Sequence, residues 1–334
     1  MVNKTVLIVG AYGTGNIGDE AILSGILKYL ISVKGVSNNE IVVFSRNPFE
    51  TTKLHQITSR RKNLFDLILS DEVIIGGGEL FQNQGKMAIK YSLLGIIAKI
   101  FRKELTFLAV GFSSNVSKLG KILARISFSV ADNVSVRDKE SMKRVLCLGV
   151  KKRVVVVPDP AFNVEPVSRR AAYMLLEKEG FRFEKGCLRI GFVSQFLGNN
   201  ELYFSFLRFL KEILNTNSDI EIFFIPFTSH VDKALDRDLL YGEWLKRKIN
   251  NDNFKVLKNT YKPQQIMGII GLMDLVVSTR FHPLVFATKM NVPAIGMDLF
   301  DKTRSFCKSH DIPLVKLNEL DKIPYLIQNS IHKN

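Results

Sequence analysis

The chain has 334 residues, of which 46% are hydrophobic and 24% charged, and its formal net charge is +15 at pH 7. This length allows more than one hydrophobic core, and the apolar fraction excludes an intrinsically disordered chain. The sequence contains no stretch of the roughly 20 apolar residues that a membrane span needs. Its three cysteines (Cys147, Cys187 and Cys307) lie far apart, in no metal or redox spacing, which fits a cytoplasmic location.

The positive charge leaves three interpretations open: a solvated basic surface, a nucleic-acid binder, or an enzyme that acts on anionic substrates beside an anionic membrane. The basic clusters, such as Arg60-Arg61-Lys62 and Lys151-Lys152-Arg153, are short and scattered. No zinc-finger, helix-turn-helix or RNA-binding aromatic motif stands out in the sequence. These observations argue against nucleic acid.

Short β-branched runs alternate with helical segments in the first half of the chain. The first run, residues 5–9, leads directly into a glycine loop, which predicts a buried strand and not a signal peptide. Further strands are predicted at residues 41–44, 73–75, 105–110, 134–136 and 154–157, with helices at 19–33, 87–101 and 119–130. Buried runs at this spacing predict parallel strands joined by crossover helices.

A proline-rich segment interrupts this alternation, which then resumes. Pro158-Asp159-Pro160 and the following residues 165–168 form the best predicted linker. Later strands are predicted at 188–193, 220–225, 254–257, 275–277, 294–295 and 314–315. We therefore expect an α/β protein with two Rossmann-like, doubly wound domains, residues 1–160 and 161–315, that face a central cleft. Residues 316–334 are expected to form a helix that packs back on the first domain.

A glycine motif follows the first strand. Gly13–Gly18 matches the G-x-G-x-x-G spacing of dinucleotide sites, but Asp19 and Glu20 in the first helical turn would repel a pyrophosphate. The second strand is followed by Arg46 in place of an acidic ribose ligand, although an arginine there would suit a 2′-phosphate. We expect a tight turn that presents Asn16 and Asp19 to the cleft; simple helix capping by Asp19 or Glu20 is the alternative.

Three further features follow predicted strands. Gly76, Gly77 and Gly78 predict a loop whose free N–H groups approach a ligand, the alternative being an ordinary strand-to-loop turn. Arg137 is either an anion clamp or half of a surface ion pair, and Asp138 is expected to cap the next helix. Asp159 more simply belongs to a structural turn.

The histidines differ in context. His230 follows a strand of the second domain and is a candidate ligand contact, with capping by Ser229 as the alternative. His55, His310 and His332 are expected to be solvated. No histidine is spaced from a carboxylate as in a helical metal site, so no metal is expected.

The most informative segment is residues 278–284. A buried strand stops at Ser278, and Pro283 occupies what is predicted to be the first position of a helix. Arg280 and His282, two apart in an extended segment, are expected to point to the same side. A cation, an imidazole and free helix N–H groups together predict an anion site that contains a proton donor.

Taken in order, these motifs resemble the polysaccharide pyruvyl transferase family. The resemblance rests on residues 15–23, Gly76-Gly77-Gly78, residues 135–138 with Ser141, residues 158–161, and residues 278–284. It implies a fold similar to that of two-domain GT-B glycosyltransferases.

The resemblance also implies a reaction: transfer of a pyruvyl unit from phosphoenolpyruvate (PEP) to two hydroxyls of one sugar in a surface polysaccharide, forming a cyclic ketal. Arg137 and Arg280 match the family's PEP-binding arginines, and His282 matches its general acid. Asp19 is a candidate base for the acceptor hydroxyl. No cofactor or metal is required.

In some members of this family the acceptor is carried on a lipid diphosphate. That would place the chain at the inner face of a membrane, as a peripheral protein attracted to anionic lipids. The alternatives are a GT-B-like glycosyltransferase that uses a nucleotide sugar and a non-catalytic glycan-binding module.

Overall fold

The computed structural model describes residues 4–182, 186–195, 200–228 and 237–331. The chain divides into two compact units between Val164 and Glu165, inside the proline-containing segment. Each unit has its own parallel sheet and its own hydrophobic core.

The first unit contains a seven-stranded sheet in the order β3-β2-β1-β4-β5-β6-β7. Its strands are β1 Val6–Val9, β2 Ile41–Phe44, β3 Thr58–Arg60, β4 Glu72–Phe81, β5 Glu104–Phe112, β6 Asn133–Val136 and β7 Val155–Val156. Its helices are α1 Ile17–Ser32, α2 Pro48–His55, α3 Leu64–Leu69, α4 Met87–Ile100, α5 Lys118–Val130 and α6 Lys139–Cys147. The strand order reverses between β1 and β4, which is where doubly wound sheets bind ligands.

The second unit contains a six-stranded sheet in the order β10-β9-β8-β11-β12-β13. Its strands are β8 Leu188–Val193, β9 Ile220–Phe224, β10 Phe254–Val256, β11 Leu275–Ser278, β12 Ala294–Met297 and β13 Leu314–Val315. Its helices are α7 Arg169–Lys178, α8 Asn200–Thr216, α9 Arg237–Ile249, α10 Pro263–Ile270, α11 Phe281–Lys289, α12 Asp301–Ser309 and α13 Ile323–Ile331. Here the strand order reverses between β8 and β11.

Polar residues begin many of these helices. The side chains of Asn16, Asn47, Ser117, Asp138 and Ser168 each accept a hydrogen bond from a backbone N–H in the first turn. Such caps satisfy donors that have no partner inside the helix. The predicted capping role of Asp138 is confirmed.

Several elements differ from the sequence-based expectation. The edge strand β3 was not predicted, because its residues Thr58–Arg60 are polar and largely exposed. Strand β4 continues through the three glycines to Phe81, where a loop was expected. The last helix, α13, contributes Ile323 and Ile327 to the core of the second unit. Its expected packing on the first domain stays a prediction.

Among the helices of the described segments, none has the combination of length and hydropathy that a membrane span requires.

Candidate functional site

The turn after β1 is built on glycines with left-handed backbone. Gly13 has φ +72° and Gly15 has φ +79°, and a Cβ on Gly13 would lie 2.0 Å from Ser45 Oγ. Asn16 then caps α1: the Gly18 N–H donates to Asn16 Oδ1 at 2.9 Å. The turn therefore requires glycine for its own geometry. The side-chain amide oxygen of Asn16 is engaged in capping α1.

Glu20 turns back beneath this loop and does not face outward. It is buried, and its Oε1 accepts a hydrogen bond from the Gly13 N–H at 2.8 Å. Its Oε2 lies 2.8 Å from His55 Nε2, and His55 Nδ1 lies 3.4 Å from Ser24 Oγ. The expectation that His55 is solvated is wrong, since its side chain is only 3% exposed. Glu20 therefore links the backbone of the glycine turn to His55 and stabilises the turn.

Asp19, the neighbour of Glu20, lies beside the glycines of β4. A Cβ on Gly78 would be 3.5 Å from Asp19 Oδ1. Nearby, the buried Tyr12 hydroxyl donates to the Gly76 carbonyl at 2.7 Å. Burial raises the pKa of Tyr12 and of Tyr91, and the charge of Asp19 adds to both shifts. The structure thus brings Asp19 and the glycines together at the point where the strand order of the first sheet reverses.

The glycines of β4 also have a packing role. Gly77 and Gly78 have φ +70° and +77°, and a Cβ on Gly77 would lie 1.8 Å from Ile22 Cγ2 of α1. The pairing with β5 is irregular between Gly78 and Phe81. The glycines therefore allow α1 to approach the strand closely, and their predicted contact with a ligand stays a prediction.

Arg137 follows β6 and is almost fully buried, with 4% of its side chain exposed. Its Nε lies 3.4 Å from Asp138 Oδ2, and its Nη1 lies 4.0 Å from Asp159 Oδ2. The guanidinium also packs over Gly111, where a Cβ would be 3.0 Å away. Asp159 caps the short 3-10 helix Pro160–Asn163 through the Ala161 N–H. The expected turn role of Asp159 is confirmed, and the same carboxylate faces Arg137.

In the second unit, α11 begins two residues earlier than expected. Arg280 is its N-cap with extended backbone, so Phe281 and His282 already lie in the helix and Pro283 is the third helical residue. The prediction that Arg280 and His282 both lie in an extended segment, and for that reason point to the same side, is therefore wrong. Both residues nevertheless lie at the amino end of α11, directly after β11, where the strand order of the second sheet reverses.

The Nη2 group of the Arg280 guanidinium is hydrogen-bonded to the carboxylate of Asp238. It donates to Asp238 Oδ1 at 2.7 Å and to Oδ2 at 2.6 Å. Asp238 is buried and also accepts from the Phe227 N–H. Arg280 Nε is buried and has no hydrogen-bond partner within the described part of the chain. Sequence reasoning missed Asp238, whose only local signal is an acidic residue in the first turn of α9.

Three buried hydroxyl groups lie near this edge of the second sheet. Ser194 follows β8, Thr279 follows β11, and the Thr279 N–H donates to the Val193 carbonyl at 3.0 Å. Thr228 follows Phe227, the residue that binds Asp238. None of the three hydroxyls has a hydrogen-bond partner among the described residues. Because buried polar groups are normally hydrogen-bonded, these hydroxyls and Arg280 Nε mark the edge at which a polar ligand is expected.

His282 is half-buried, and its ring meets that of Phe281 edge to face at 5.1 Å between centroids. His230, which was predicted as a candidate ligand contact, lies outside the described residues.

Comparison with solved structures gives extensive similarity over the whole chain. The S. aureus MnaA–UDP co-structure is 12% identical, with a TM-score of 0.69 over 98% of this chain and 90% of that one. UDP-GlcNAc 2-epimerase from Methanocaldococcus jannaschii is 11% identical, with a TM-score of 0.68 over 98% and 92%. E. coli ADP-heptose LPS heptosyltransferase II is 12% identical, with a TM-score of 0.54 over 98% of each chain. At such identities the likeness concerns the fold, and it confirms the α/β class with two Rossmann-like units of GT-B type.

A search of curated proteins gives no match. The family model described as polysaccharide pyruvyl transferase matches residues 16–299, which is most of the chain and includes Asn16, Asp19, Arg137, Arg280 and His282. The chain therefore belongs to the polysaccharide pyruvyl transferase family.

Proposed function

We propose that the protein transfers a pyruvyl unit from PEP to two hydroxyls of one sugar in a glycan, forming a cyclic ketal. Family membership supports pyruvyl transfer onto a polysaccharide. The observation that supports PEP as the donor most directly is the hydrogen bonding of the Arg280 guanidinium. Its Nη2 is held by Asp238, while its buried Nε has no partner among the described residues.

PEP carries a phosphate and a carboxylate, and both groups are suited to guanidinium donors. In the proposal, Arg280 binds one of these anionic groups at the amino end of α11, where the helix dipole favours an anion. The hydroxyls of Ser194, Thr228 and Thr279 are available as further donors at the same edge. Arg137 binds the second anionic group, and its long contact with Asp159 is the one that it exchanges for the substrate.

His282 acts as the general acid. It transfers a proton to the methylene carbon of PEP, which becomes a methyl group and leaves an oxocarbenium-like centre at C2. A sugar hydroxyl adds to C2 and gives its proton to Asp19. The bond from C2 to the phosphate oxygen then breaks, and the second hydroxyl adds and closes the ketal. The phosphate leaves with the electron pair of the broken C2–O bond. Of the two hydroxyl protons released, one replaces the proton taken from His282 and the other is taken up by the departing phosphate.

The acceptor sugar binds near the glycine turns of the first unit. Asp19 lies beside Gly78, and Asn16 is the N-cap of the same helix. In the proposal both side chains contact the acceptor. Glu20 is excluded as the base because both of its carboxylate oxygens are engaged. Contacts of the substrate with the backbone of Gly76 and Gly77, and with His230, remain part of the proposal.

Phosphate release tests this function. The protein is incubated with PEP and candidate glycans, and we expect inorganic phosphate to appear only when both are present. The competing function is glycosyl transfer from a nucleotide sugar, because a solved structure of the same fold contains UDP. Binding of a nucleotide sugar without any PEP-dependent phosphate would reject pyruvyl transfer in favour of that alternative.

A further inference from the structure

Helices α3, α4 and α5 cover the same face of the first sheet. Their inward residues, which include Leu67, Tyr91, Ala98, Ala124 and Phe128, belong to one core cluster. Helices α4 and α5 also pack closely side by side, since a Cβ on Gly95 would lie 2.4 Å from Ser127 Oγ. Helices α4 and α5 therefore present one continuous outer surface, and α3 lies on the same face of the sheet.

This outer surface is unusually apolar. Its exposed large hydrophobic residues are Leu64, Phe65, Ile68, Leu69, Leu93, Ile97, Ile100, Phe101, Leu119, Ile122, Ile126 and Val130. We refer to these residues as the apolar face. Ile100 is 69% exposed, Phe65 65% and Ile122 58%. Monomeric soluble proteins rarely expose contiguous apolar patches larger than roughly a few hundred Å², and larger patches mark interaction sites.

The charged residues within α4 and α5 are all basic, although Lys99 of α4 is paired with Asp132, which lies just after α5. These two helices contain no Asp or Glu and carry Lys90, Lys99, Lys118, Lys121 and Arg125.

On α5 the exposed residues Leu119, Ile122, Ile126 and Val130 recur every three or four positions, which forms an apolar stripe. Lys118, Lys121 and Arg125 recur at the same spacing and form a basic stripe beside it. The basic run Arg60-Arg61-Lys62 precedes the N-cap of α3, and Arg60 is paired with Asp66 of that helix. Lys62 Nζ lies 4.8 Å from the centre of the Tyr91 ring of α4.

We propose that the apolar face docks the protein on an anionic lipid bilayer. Apolar side chains enter the boundary between headgroups and acyl chains, while the flanking lysines and arginines reach the lipid phosphates. A second copy of the chain fits this surface poorly, because self-association would bring the basic residues of α4 and α5 against each other. The inference goes beyond the proposed reaction and does not depend on it.

Docking in this way would bring a membrane-borne acceptor towards the functional edge. Lys118 and Leu119 lie in the first turn of α5, which follows the carboxyl end of β5. The apolar face therefore begins at the same edge of the sheet as the glycine turns. A glycan held on a lipid at the bilayer surface would meet the protein at that edge.

The test is co-sedimentation with vesicles of equal parts phosphatidylglycerol and phosphatidylcholine, and with vesicles of phosphatidylcholine alone. We expect binding to the anionic vesicles, weakened by salt. Ile122→Glu should reduce the partition coefficient at least about tenfold, because it removes an inserted apolar side chain. The matched control is Val33→Glu, which adds the same charge at an exposed valine after α1 and should bind as the wild type does.

The contribution of the basic stripe of α5 to vesicle binding is tested separately. Lys118→Gln with Lys121→Gln should lower the partition coefficient at least about tenfold. Arg247→Gln with Lys248→Gln removes two exposed charges from α9 and should leave binding unchanged.

Equal vesicle binding by wild type and Ile122→Glu would overturn the proposal, as would a wild-type protein that stays in the supernatant. A dimer in solution that Ile122→Glu dissociates, without vesicle binding, would assign the face to self-association instead. Because vesicle binding is measured without PEP, failure of the reaction and failure of docking are distinguishable.

Discussion

Arg280 combines two properties that seldom occur together in a structural ion pair. One side of its guanidinium is fixed by a buried carboxylate, which holds the group in a single orientation. The Nε is buried without a partner among the described residues, which is costly unless a ligand or solvent completes it. A preorganised guanidinium of this kind binds a planar or tetrahedral anion with little further loss of side-chain entropy.

The roles assigned to His282 and Arg280 predict different kinetic defects. His282→Ala should lower kcat about a hundredfold or more, because a general acid typically contributes that much, and should leave the Kd for PEP almost unchanged. Arg280→Ala should instead raise the Kd for PEP about tenfold or more. Turnover and calorimetric titration with PEP measure the two effects, and His310→Ala serves as a control at an exposed histidine. Equal and mild effects of both substitutions would contradict these roles.

Asp238 is a positioning residue that acts through Arg280. Asp238→Asn should raise the KM for PEP about tenfold with a smaller change in kcat, because the guanidinium loses a charge-assisted hydrogen bond. Asp252→Asn makes the same chemical change at a fully exposed side chain and should leave both constants unchanged. A lower KM in Asp238→Asn would show that Asp238 competes with the substrate for Arg280, contrary to the positioning role.

The contacts that connect distant residues could not be predicted from the sequence. Arg280 and His282 stand out locally, because they lie between an apolar run and a proline. Asp238 lies 42 positions before Arg280, and His55 lies 35 positions after Glu20. No periodicity relates residues so far apart, since their meeting depends on how the helices pack. For the same reason His55 was predicted to be solvated.

At the scale of elements, the first unit depends on the close approach of α1 to β4. Gly77→Ala should lower the free energy of unfolding by about 2–4 kcal/mol, because it adds both backbone strain and a clash with Ile22. Gly35→Ala isolates the strain, because Gly35 has the same φ of +70° and nothing within 4 Å of its Cβ position. We expect it to cost about 1 kcal/mol. Equal losses in urea denaturation would contradict the packing role of Gly77.

Element boundaries followed the sequence closely at several of the buried apolar runs. Strands β2, β8 and β13 begin and end where the apolar pattern places them. The pattern failed at β3, which is polar and lies at the sheet edge, and at β4, where glycines were read as a loop. At α11 the helix starts two residues before its proline. A proline is tolerated there because the N–H groups of the first turn have no partner inside the helix, so no helical hydrogen bond is lost.

At the scale of the whole molecule, alternation of strands and helices was enough to predict two Rossmann-like units. The solved structures that resemble the chain confirm this at only 11% and 12% identity, because hydrophobic patterning outlasts residue identity. The same fold is found in a 2-epimerase and a heptosyltransferase. Fold alone therefore does not select the reaction. Pyruvyl transfer is supported by the family and by the residues at the strand ends.

The fate of the pyruvyl carbon tests pyruvyl transfer most directly. PEP labelled with carbon-13 at C2 is incubated with the protein and a glycan acceptor, and the purified glycan is examined by NMR. We predict a labelled ketal carbon bound to two oxygens of one sugar, formed in equal amount to the inorganic phosphate released. An unlabelled glycan, with the label found only in PEP or in free pyruvate, would contradict the account.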